Sequence, residues 1–164
     1  MKCSECKEKL LNNEDNFVLP LPVFESQSII MALEKFFRPV ELNSFCKCCQ
    51  HHVKFQRKTE IWKQPKVLVI QLQKTEKSSL LESTPMEALN LNTFLADKTK
   101  FSFYSLFAVC KYHKFGPNDG HYFTDAKTPN NKWYRFDDDK EIKEIQKGDI
   151  LNQYAYILFY EKIN

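Results

Sequence analysis

The segment "GHYFTDAKTPNNKWYRFDDD" (120–139) contains one histidine, two stretches rich in aromatic residues and three consecutive aspartates. The turn-forming residues TPNN separate the two stretches, and this pattern predicts a β-hairpin. In such a hairpin His121 begins the first strand and Asp137 ends the second, and the start of one antiparallel strand lies opposite the end of the other. We therefore expect the two side chains to meet as cross-strand neighbours.

A histidine and an aspartate in contact are two of the three groups of a catalytic triad. The carboxylate fixes the tautomer of the imidazole and stabilises the imidazolium, and the second ring nitrogen can then act as a base on a nucleophile. A structural histidine beside a solvated acidic turn fits the same pattern equally well, because one His and one Asp at this spacing are common. The hairpin by itself leaves both interpretations open.

Length and composition indicate one globular domain, or a domain with an appendage. The 164 residues are 43% hydrophobic and 27% charged, which suffices for a core and is ordinary for a soluble protein. The net charge of +3 comes without a dense block of Lys and Arg, so no nucleic-acid partner is expected. The longest apolar run, "VLVIQL" (67–72), is too short to cross a bilayer, so no membrane partner is expected either.

The N-terminal residues "MKCSECKEKL" (1–10) are charged and lack the apolar region of a secretory signal. We therefore expect an intracellular protein of the cytoplasm, the nucleus or both. In such a reducing compartment, the six cysteines favour metal binding over disulfides.

Apolar periodicity predicts an α+β fold whose second half is a mostly antiparallel sheet. Residues 26–39 read as a helix that ends at Pro39, because their apolar side chains fall on one face at helical spacing. The run 65–73 predicts a strand buried on both faces, and the polar segment 74–90 predicts a flexible loop. The other strands are predicted within 17–21, 53–55, 103–113, 121–127, 132–137 and 154–162.

Four cysteines form two matched CxxC pairs, Cys3 with Cys6 and Cys46 with Cys49. A CxxC on a tight turn points both sulfurs to the same side, and two such pairs complete the tetrahedral thiolate shell that structural zinc prefers. The pairs are far apart in the sequence, so the metal would clamp distant segments together. Because the thiols deprotonate on binding, the affinity for zinc becomes folding free energy.

Other ligand sets remain open at this point. Cys48 could replace Cys46 or Cys49, and His51 and His52 are nearby alternatives. Free thiols without any metal are a further interpretation, although the two matched pairs make it less favoured.

Five motifs together resemble the C-terminal half of the ubiquitin-specific protease family, which consists of papain-like cysteine deubiquitinases. They occur in the family's order over almost the whole chain. The motifs are "FCKCCQ…KTEIWKQPKVLVIQLQK" (45–74), "TPMEALNLNTFL" (84–95), "YSLFAVCKYHKFGPNDGHYFTDAK" (104–127), "KWYRFDDDKEIKEI" (132–145) and "QYAYILFYEK" (153–162). They correspond to the second zinc CxxC with the following strand, a proline–Leu-x-Leu segment, the histidine box, the acidic box and the closing strand.

The resemblance implies a papain-like palm over residues 65–164 and zinc-ribbon fingers over residues 1–64, with the thumb subdomain missing. It also implies ubiquitin or a ubiquitinated protein as partner and one structural zinc ion. The resemblance implies that His121 is the general base, that Asp137 orients it, and that Asp138 is an auxiliary polar residue beside it. It implies that Tyr122 flanks the channel for the ubiquitin tail and that His113 belongs to a loop over the active site. The implied zinc ligands are Cys3, Cys6, Cys46 and Cys49.

The chain departs from the family pattern in one essential respect. The family's nucleophile lies in an N-terminal cysteine box that has no counterpart here, and Cys110 falls at a variable strand position of the histidine box. Two functions follow as expectations. The chain is either the part of a thiol-dependent ubiquitin hydrolase that supplies His and Asp but not Cys, or a catalytically inactive fragment that binds ubiquitin or scaffolds a complex.

Overall fold

A computed structural model of the chain describes residues 1–23, 28–74, 87–117, 119–150 and 152–163. These residues form one α-helix and eleven strands. The elements are β1 (Lys2–Cys3), β2 (Leu19–Val23), α1 (Ile29–Phe37), β3 (Val40–Cys46), β4 (His51–Arg57), β5 (Val67–Lys74), β6 (Ala88–Asn90), β7 (Phe103–Lys114), β8 (Gly120–Lys127), β9 (Trp133–Phe136), β10 (Lys143–Ile145) and β11 (Ala155–Ile163).

The strands build two sheets. The larger has eight strands in the order β10-β9-β8-β7-β11-β5-β2, and β6 pairs with β7 beside that path. Every pairing in it is antiparallel except that of β2 with β5, which is parallel. The smaller sheet has the order β1-β4-β3. The prediction of a mostly antiparallel α+β fold is therefore confirmed, although the parallel edge was not predicted.

The predicted helix is present as α1. The Ser28 side chain accepts a hydrogen bond from the Met31 backbone N–H at 3.2 Å, which caps the helix, and Arg38 ends it just before Pro39. Its buried face packs on the core, and α1 contacts β2. Both elements come from the first 64 residues of the chain, yet they belong to the large sheet and its core.

One face of the large sheet carries the main hydrophobic core. From β5 this face receives Leu68, Ile70 and Leu72, which are buried, whereas Val69 is half-buried and Val67 is exposed. The prediction that this strand is buried on both faces is wrong. The strand lies between β11 and β2, and only its Leu68–Ile70–Leu72 face meets the core cluster. A continuous apolar run therefore does not require burial of both faces.

Two stretches of the chain differ from expectation in their local structure. Within the predicted loop 74–90, residues 88–90 form the short strand β6, and residues 75–86 lie outside the described part of the chain. The strands β3 and β10 were not predicted. Residue 118, in the segment that joins β7 to β8, also lies outside the described part of the chain. No helix within the described residues is long and apolar enough to span a membrane.

Candidate active site and metal centre

The hairpin of β8 and β9 brings His121 and Asp137 together. Thr124 pairs with Phe136 at the last position of the ladder, so Asp137 follows the strand end and His121 lies diagonally across from it. The diagonal is within reach of long side chains. His121 Nε2 and Asp137 Oδ1 are hydrogen-bonded, and because a carboxylate can only accept, Nε2 is the protonated nitrogen.

A tight turn aims the Asp137 carboxylate. Asp138 adopts a left-handed backbone conformation with φ of 49°, which Asp tolerates better than most residues, and the Lys140 N–H donates to the Asp137 carbonyl at 3.0 Å. The Lys140 ammonium also donates to Asp137 Oδ2 at 3.0 Å. The hydrogen bond from His121, and after it that from Lys140, lowers the pKa of Asp137. Asp137 is therefore a carboxylate at any physiological pH.

The second imidazole nitrogen faces away from Asp137. Asp138 Oδ2 lies 3.9 Å from His121 Nδ1, which is beyond a hydrogen bond, and the Asp138 side chain is largely exposed. Among the described residues, nothing else lies within hydrogen-bond distance of Nδ1. The ring can therefore accept a proton at Nδ1 while Asp137 stabilises the resulting imidazolium through Nε2.

His113 lies on the same face of the sheet as the dyad. It pairs directly with His121 across the β7–β8 ladder. Its ring packs against Tyr154 with centroids 4.4 Å apart and against Phe115 at 4.7 Å. The expected loop position of His113 is wrong, because the ladder continues to Lys114 and the chain turns only after it. His113 is therefore held by the sheet.

Tyr122 follows His121 in the strand and so points to the opposite face of the sheet. Its ring lies 4.6 Å from that of Tyr112 and 6.1 Å from that of Tyr156, and about half of it is exposed. Gly120 is required by this packing, because a Cβ there would stand 2.2 Å from the Tyr112 hydroxyl. The glycine before His121 thus makes room for an aromatic cluster.

Sequence reasoning missed a buried ion cluster beneath the dyad. Asp125 has no exposed surface, and it accepts hydrogen bonds from Arg135 Nε at 2.8 Å and Nη2 at 3.1 Å. It also forms an ion pair with the equally buried Lys111, whose ammonium donates to the Asp149 carbonyl at 2.6 Å. The alternation of side chains along the two strands could have predicted this cluster. Asp125 lies four residues after His121, and Arg135 lies two residues before Asp137, so the four side chains share one face of the sheet.

None of the six cysteines contacts the dyad. Cys110 pairs with Thr124 across the ladder, so its side chain lies on the face opposite His121. Burial raises the pKa of the Cys110 thiol, which disfavours the nucleophilic thiolate. Cys48 is exposed in the turn between β3 and β4. The remaining four cysteines lie together in the smaller sheet.

The side chains of Cys3, Cys6, Cys46 and Cys49 converge, with the four sulfurs within 4.8 Å of one another. The Sγ atoms of Cys3 and Cys49 are 3.8 Å apart, and those of Cys6 and Cys46 are 3.7 Å apart. Tetrahedral zinc with Zn–S bonds of about 2.3 Å requires a sulfur–sulfur spacing of about 3.8 Å. The donor set and its spacing therefore fit zinc.

The two CxxC pairs share one backbone geometry. The residue after each second cysteine has a positive φ, 64° at Lys7 and 60° at Gln50. The turn of the second pair closes with a hydrogen bond of 2.8 Å from the Gln50 N–H to the Cys46 carbonyl. Such left-handed residues are uncommon in non-glycine positions, and here one follows each CxxC pair.

The surroundings shift the pKa values of Cys3 and Cys49 in opposite directions. Burial disfavours the Cys3 thiolate, but backbone N–H groups of Glu5 and Cys6 hydrogen-bond it and bring the pKa of Cys3 to about 7. Burial and the neighbouring sulfurs raise the pKa of Cys49. A bound zinc ion would reverse this second effect, because coordinating thiols are deprotonated outright.

The two alternative histidine ligands have other partners, and Cys48 borders the cluster without joining it. His51 Nδ1 lies 2.7 Å from the Cys49 carbonyl oxygen, and His51 Nε2 lies 3.2 Å from Glu5 Oε2. The His52 ring packs against Phe45 with centroids 5.8 Å apart. Cys48 groups with Cys6 and Glu8 at the surface, outside the four-sulfur cluster. The geometry favours the four cysteines of the CxxC pairs.

Comparison with known proteins identifies the family. The family model of ubiquitin carboxyl-terminal hydrolase matches residues 1–160. The chain therefore belongs to the ubiquitin carboxyl-terminal hydrolases, the family of ubiquitin-specific proteases whose motifs the sequence resembles.

The curated relatives are longer proteins. Ubiquitin carboxyl-terminal hydrolase 10 of Arabidopsis thaliana is 33% identical over 152 residues, covering 85% of this chain and 16% of the relative. Hydrolase 4 of Mus musculus is 32% identical over 127 residues, covering 72% of this chain and 13% of the relative. The 17-like protein B of Mus musculus is 29% identical over 174 residues, covering all of this chain. The chain spans 13% to 37% of the length of these relatives.

Solved structures share the fold. A chain in the structure of the SAGA DUB module bound to ubiquitin aldehyde matches with a TM-score of 0.76 at 24% identity. The match covers 99% of the present chain and 40% of that chain. The SAGA DUB module bound to monoubiquitin gives a TM-score of 0.76 at 25% identity, with 99% of this chain and 39% of that chain covered.

We predict about one zinc ion per chain, bound by the four clustered cysteines. Replacement of Cys46 by Ser should abolish stoichiometric zinc and destabilise the smaller sheet, because the metal affinity is folding free energy there. Replacement of Cys48 by Ser, the matched control in the same turn, should leave zinc content unchanged. Elemental analysis of the purified proteins measures this. A zinc-free wild-type chain that is fully folded and indifferent to chelator would contradict the assignment.

We also predict that the Asp137 carboxyl titrates below the ordinary aspartate range, because His121 and Lys140 hydrogen-bond its charged form. As the pH falls, this group should hold its charge after ordinary aspartates have gained a proton. A carbon-13 NMR titration of the carboxyl groups measures the midpoint. The change His121→Ala should raise it more than Lys140→Ala does. An unchanged midpoint in His121→Ala would mean that the hydrogen bond is absent in solution.

Proposed function

We propose that the chain forms the histidine- and aspartate-bearing part of a deubiquitinating cysteine peptidase. The reaction would be thiol-dependent hydrolysis of the peptide or isopeptide bond at the ubiquitin C-terminus. The observation that carries this proposal is the His121–Asp137 hydrogen bond with Nδ1 open, in a chain of the ubiquitin carboxyl-terminal hydrolase family. The same dyad in an unrelated chain would carry little weight, because such pairs also occur as structural hydrogen bonds.

Each member of the dyad has a defined task in this reaction. His121 Nδ1 takes the proton of the nucleophilic thiol, and the thiolate attacks the carbonyl carbon at the ubiquitin C-terminus. The imidazolium gives this proton to the leaving amine, and the neutral imidazole that remains then takes a proton from the water that hydrolyses the thioester. Asp137 keeps Nε2 protonated and stabilises the imidazolium throughout. Asp138 is an auxiliary polar residue that approaches Nδ1 from the solvent side.

The nucleophile has to come from elsewhere. Cys110 faces the other side of the sheet, and the remaining cysteines belong to or border the four-sulfur cluster. We therefore propose that a cysteine outside these 164 residues supplies the thiolate. A reducing intracellular compartment, the cytoplasm or the nucleus, suits a function that needs both this thiol and the clustered cysteines reduced.

The two sheets would divide the work of holding ubiquitin. We assign the fingers to the smaller sheet, formed by β1, β3 and β4 and clamped by one structural zinc ion. We assign the palm to the large sheet, which includes β2, and to the helix α1 that packs on its core. The thumb subdomain would be contributed by residues outside this chain. Zinc would have no part in the chemical step and would hold the N-terminal segment on β4.

Two further side chains are proposed to meet the substrate. Tyr122 lies on the face opposite His121 and exposes about half of its surface beside Tyr112 and Tyr156, so it would flank the channel for the ubiquitin tail from that other face of the sheet. His113 lies opposite His121 on the face of the dyad and is anchored on Tyr154. Its imidazole can therefore border the substrate next to the general base.

A second function is favoured by one observation, the absence of any cysteine in contact with His121. A chain that binds ubiquitin without cleaving it would need the two sheets but no nucleophile. The alternative is thus a catalytically inactive protein that binds ubiquitin or scaffolds a complex. Activity measurements separate the two functions.

Alone, the chain should not cleave a fluorogenic ubiquitin substrate and should not react with a ubiquitin-based thiol probe, because no thiol lies beside the base. A natural polypeptide that adds a family cysteine box upstream should be active. In it, His121→Ala should remove the activity, since general-base catalysis contributes about 10² to 10⁴-fold. Asp137→Ala should lower the activity strongly, and some activity should remain if Asp138 takes over the role of Asp137.

The outcomes distinguish the possibilities. Probe labelling of the chain at Cys110 or Cys48 would contradict the assignment of the nucleophile. An upstream-extended polypeptide that binds ubiquitin and remains inert would favour the binding function. An extended polypeptide that neither binds nor cleaves ubiquitin would overturn both.

A further inference from the structure

The strand alternation lines up two sets of side chains on one face of the large sheet. On β8, His121, Phe123 and Asp125 occupy this face, and on β9 it is occupied by Arg135, with Asp137 just beyond the strand end. The buried ion cluster and the dyad are therefore separated by a single aromatic ring, that of Phe123. The established hydrogen bond between His121 and Asp137 does not involve any of these intervening groups.

Asp125 fixes the guanidinium of Arg135 in one plane. The contact is bidentate, at 2.8 Å and 3.1 Å, and the carboxylate has no exposed surface. Lys111 lies against the same carboxylate, so the charge of Asp125 is balanced within the fold. Bidentate Arg–carboxylate pairs add geometric specificity to their energy, since both N–H donors must be aligned at once. Arg135 therefore has little rotational freedom, although a third of its side chain is exposed.

The fixed guanidinium in turn supports the Phe123 ring. Arg135 Cζ lies 4.9 Å from the centroid of Phe123, and Lys111 Nζ lies 5.8 Å from it. Both distances are within the range of cation–π attraction. The Tyr154 ring closes another side, with its centroid 6.4 Å from that of Phe123. Phe123 is thus held by cations and an aromatic ring.

The imidazole of His121 lies on this platform. Its ring is nearly parallel to Phe123, at an interplanar angle of 18° and a centroid distance of 6.2 Å. The χ2 torsion of histidine is broad and roughly two-fold, so a single hydrogen bond does not fix it. A half-turn about χ2 would exchange Nε2 with Cε1 and Nδ1 with Cδ2, so Asp137 would face a ring carbon and the hydrogen bond of the dyad would be lost. A parallel aromatic neighbour disfavours the tilted orientations between the two states.

We propose that Arg135 and Phe123 are positioning residues for His121. Asp125 locks Arg135, Arg135 supports Phe123, and the Phe123 ring keeps the imidazole in the orientation in which Nε2 meets Asp137 and Nδ1 is free. The proposal rests on the proposed function only in treating the dyad as catalytic. Its geometric content, the control of the imidazole orientation, holds whether or not the chain takes part in ubiquitin hydrolysis.

The test uses two mild changes and one control in the full chain. Arg135→Lys keeps the charge and an ion pair with Asp125 but loses the flat guanidinium and the bidentate contact. Phe123→Leu keeps an apolar side chain but loses the ring. The control is Lys132→Gln, which removes the exposed pair with Glu144 at 2.9 Å on the neighbouring strand β10. Asp125→Asn is avoided because an uncompensated buried cluster could prevent folding.

The readout is nitrogen-15 NMR of the His121 ring at a mildly alkaline pH, where imidazole is ordinarily neutral. In the wild type, one tautomer with the proton on Nε2 should give two widely separated ring resonances. Arg135→Lys and Phe123→Leu should bring the two resonances closer together, because the ring then samples both orientations and both tautomers. Lys132→Gln should match the wild type. Near-wild-type backbone spectra in all three variants would show that the fold is kept.

The possible results separate this proposal from the proposed function. Wild-type ring resonances in both folded variants would overturn the positioning role, even if an upstream-extended polypeptide were active. Averaged resonances in the two variants, together with an upstream-extended polypeptide that lacks ubiquitin hydrolase activity, would support the positioning role and count against the proposed function. In an active polypeptide, Arg135→Lys should lower kcat by about tenfold with little change in KM, as expected when a transition-state interaction is weakened. A change in KM alone would contradict the proposal.

Discussion

The arrangement of the site depends on Asp125, a fully buried carboxylate that joins three neighbouring strands. It binds Lys111 from β7 and Arg135 from β9 while itself belonging to β8. A buried charge is tolerated only when its partners are in place, so any shift of these strands past one another would leave Asp125 uncompensated. The ion cluster therefore fixes the register, and the register decides that His121 reaches Asp137.

A second constraint acts in the smaller sheet. The smaller sheet has a core of only a few buried side chains, Cys3, Cys46, Val53 and Phe55, and two of these are thiols of the four-sulfur cluster. A core of this size contributes little by itself, so a metal cross-link is the natural source of its stability. The two sheets are thus stabilised by different interactions. A large hydrophobic core lies under the sheet that carries the dyad, and clustered cysteines hold the smaller sheet together.

The sequence alone predicted those parts of the site that are set by local chemistry. The meeting of His121 with Asp137 followed from a turn and two short strands, and the four-cysteine cluster followed from the geometry of CxxC turns. Features that depend on distant pairing were missed. The strand β3, "VELNSFC", has little apolar alternation and is held by β4, and Lys111, Asp125 and Arg135 look like surface charges until the register is known. The burial of β5 on one face could not be deduced from a run that is apolar throughout.

The central claim is that His121 stands where the ubiquitin C-terminus would be attacked. The most direct measurement places a nitroxide label at the C-terminus of ubiquitin and records the paramagnetic broadening of the amide signals of this chain. We predict the strongest broadening around His121 and at Asp138, with weaker effects on β7 and none at the four-cysteine cluster, which lies in the other sheet. Broadening centred on the cysteine cluster, or none at ubiquitin concentrations that saturate binding, would contradict the account.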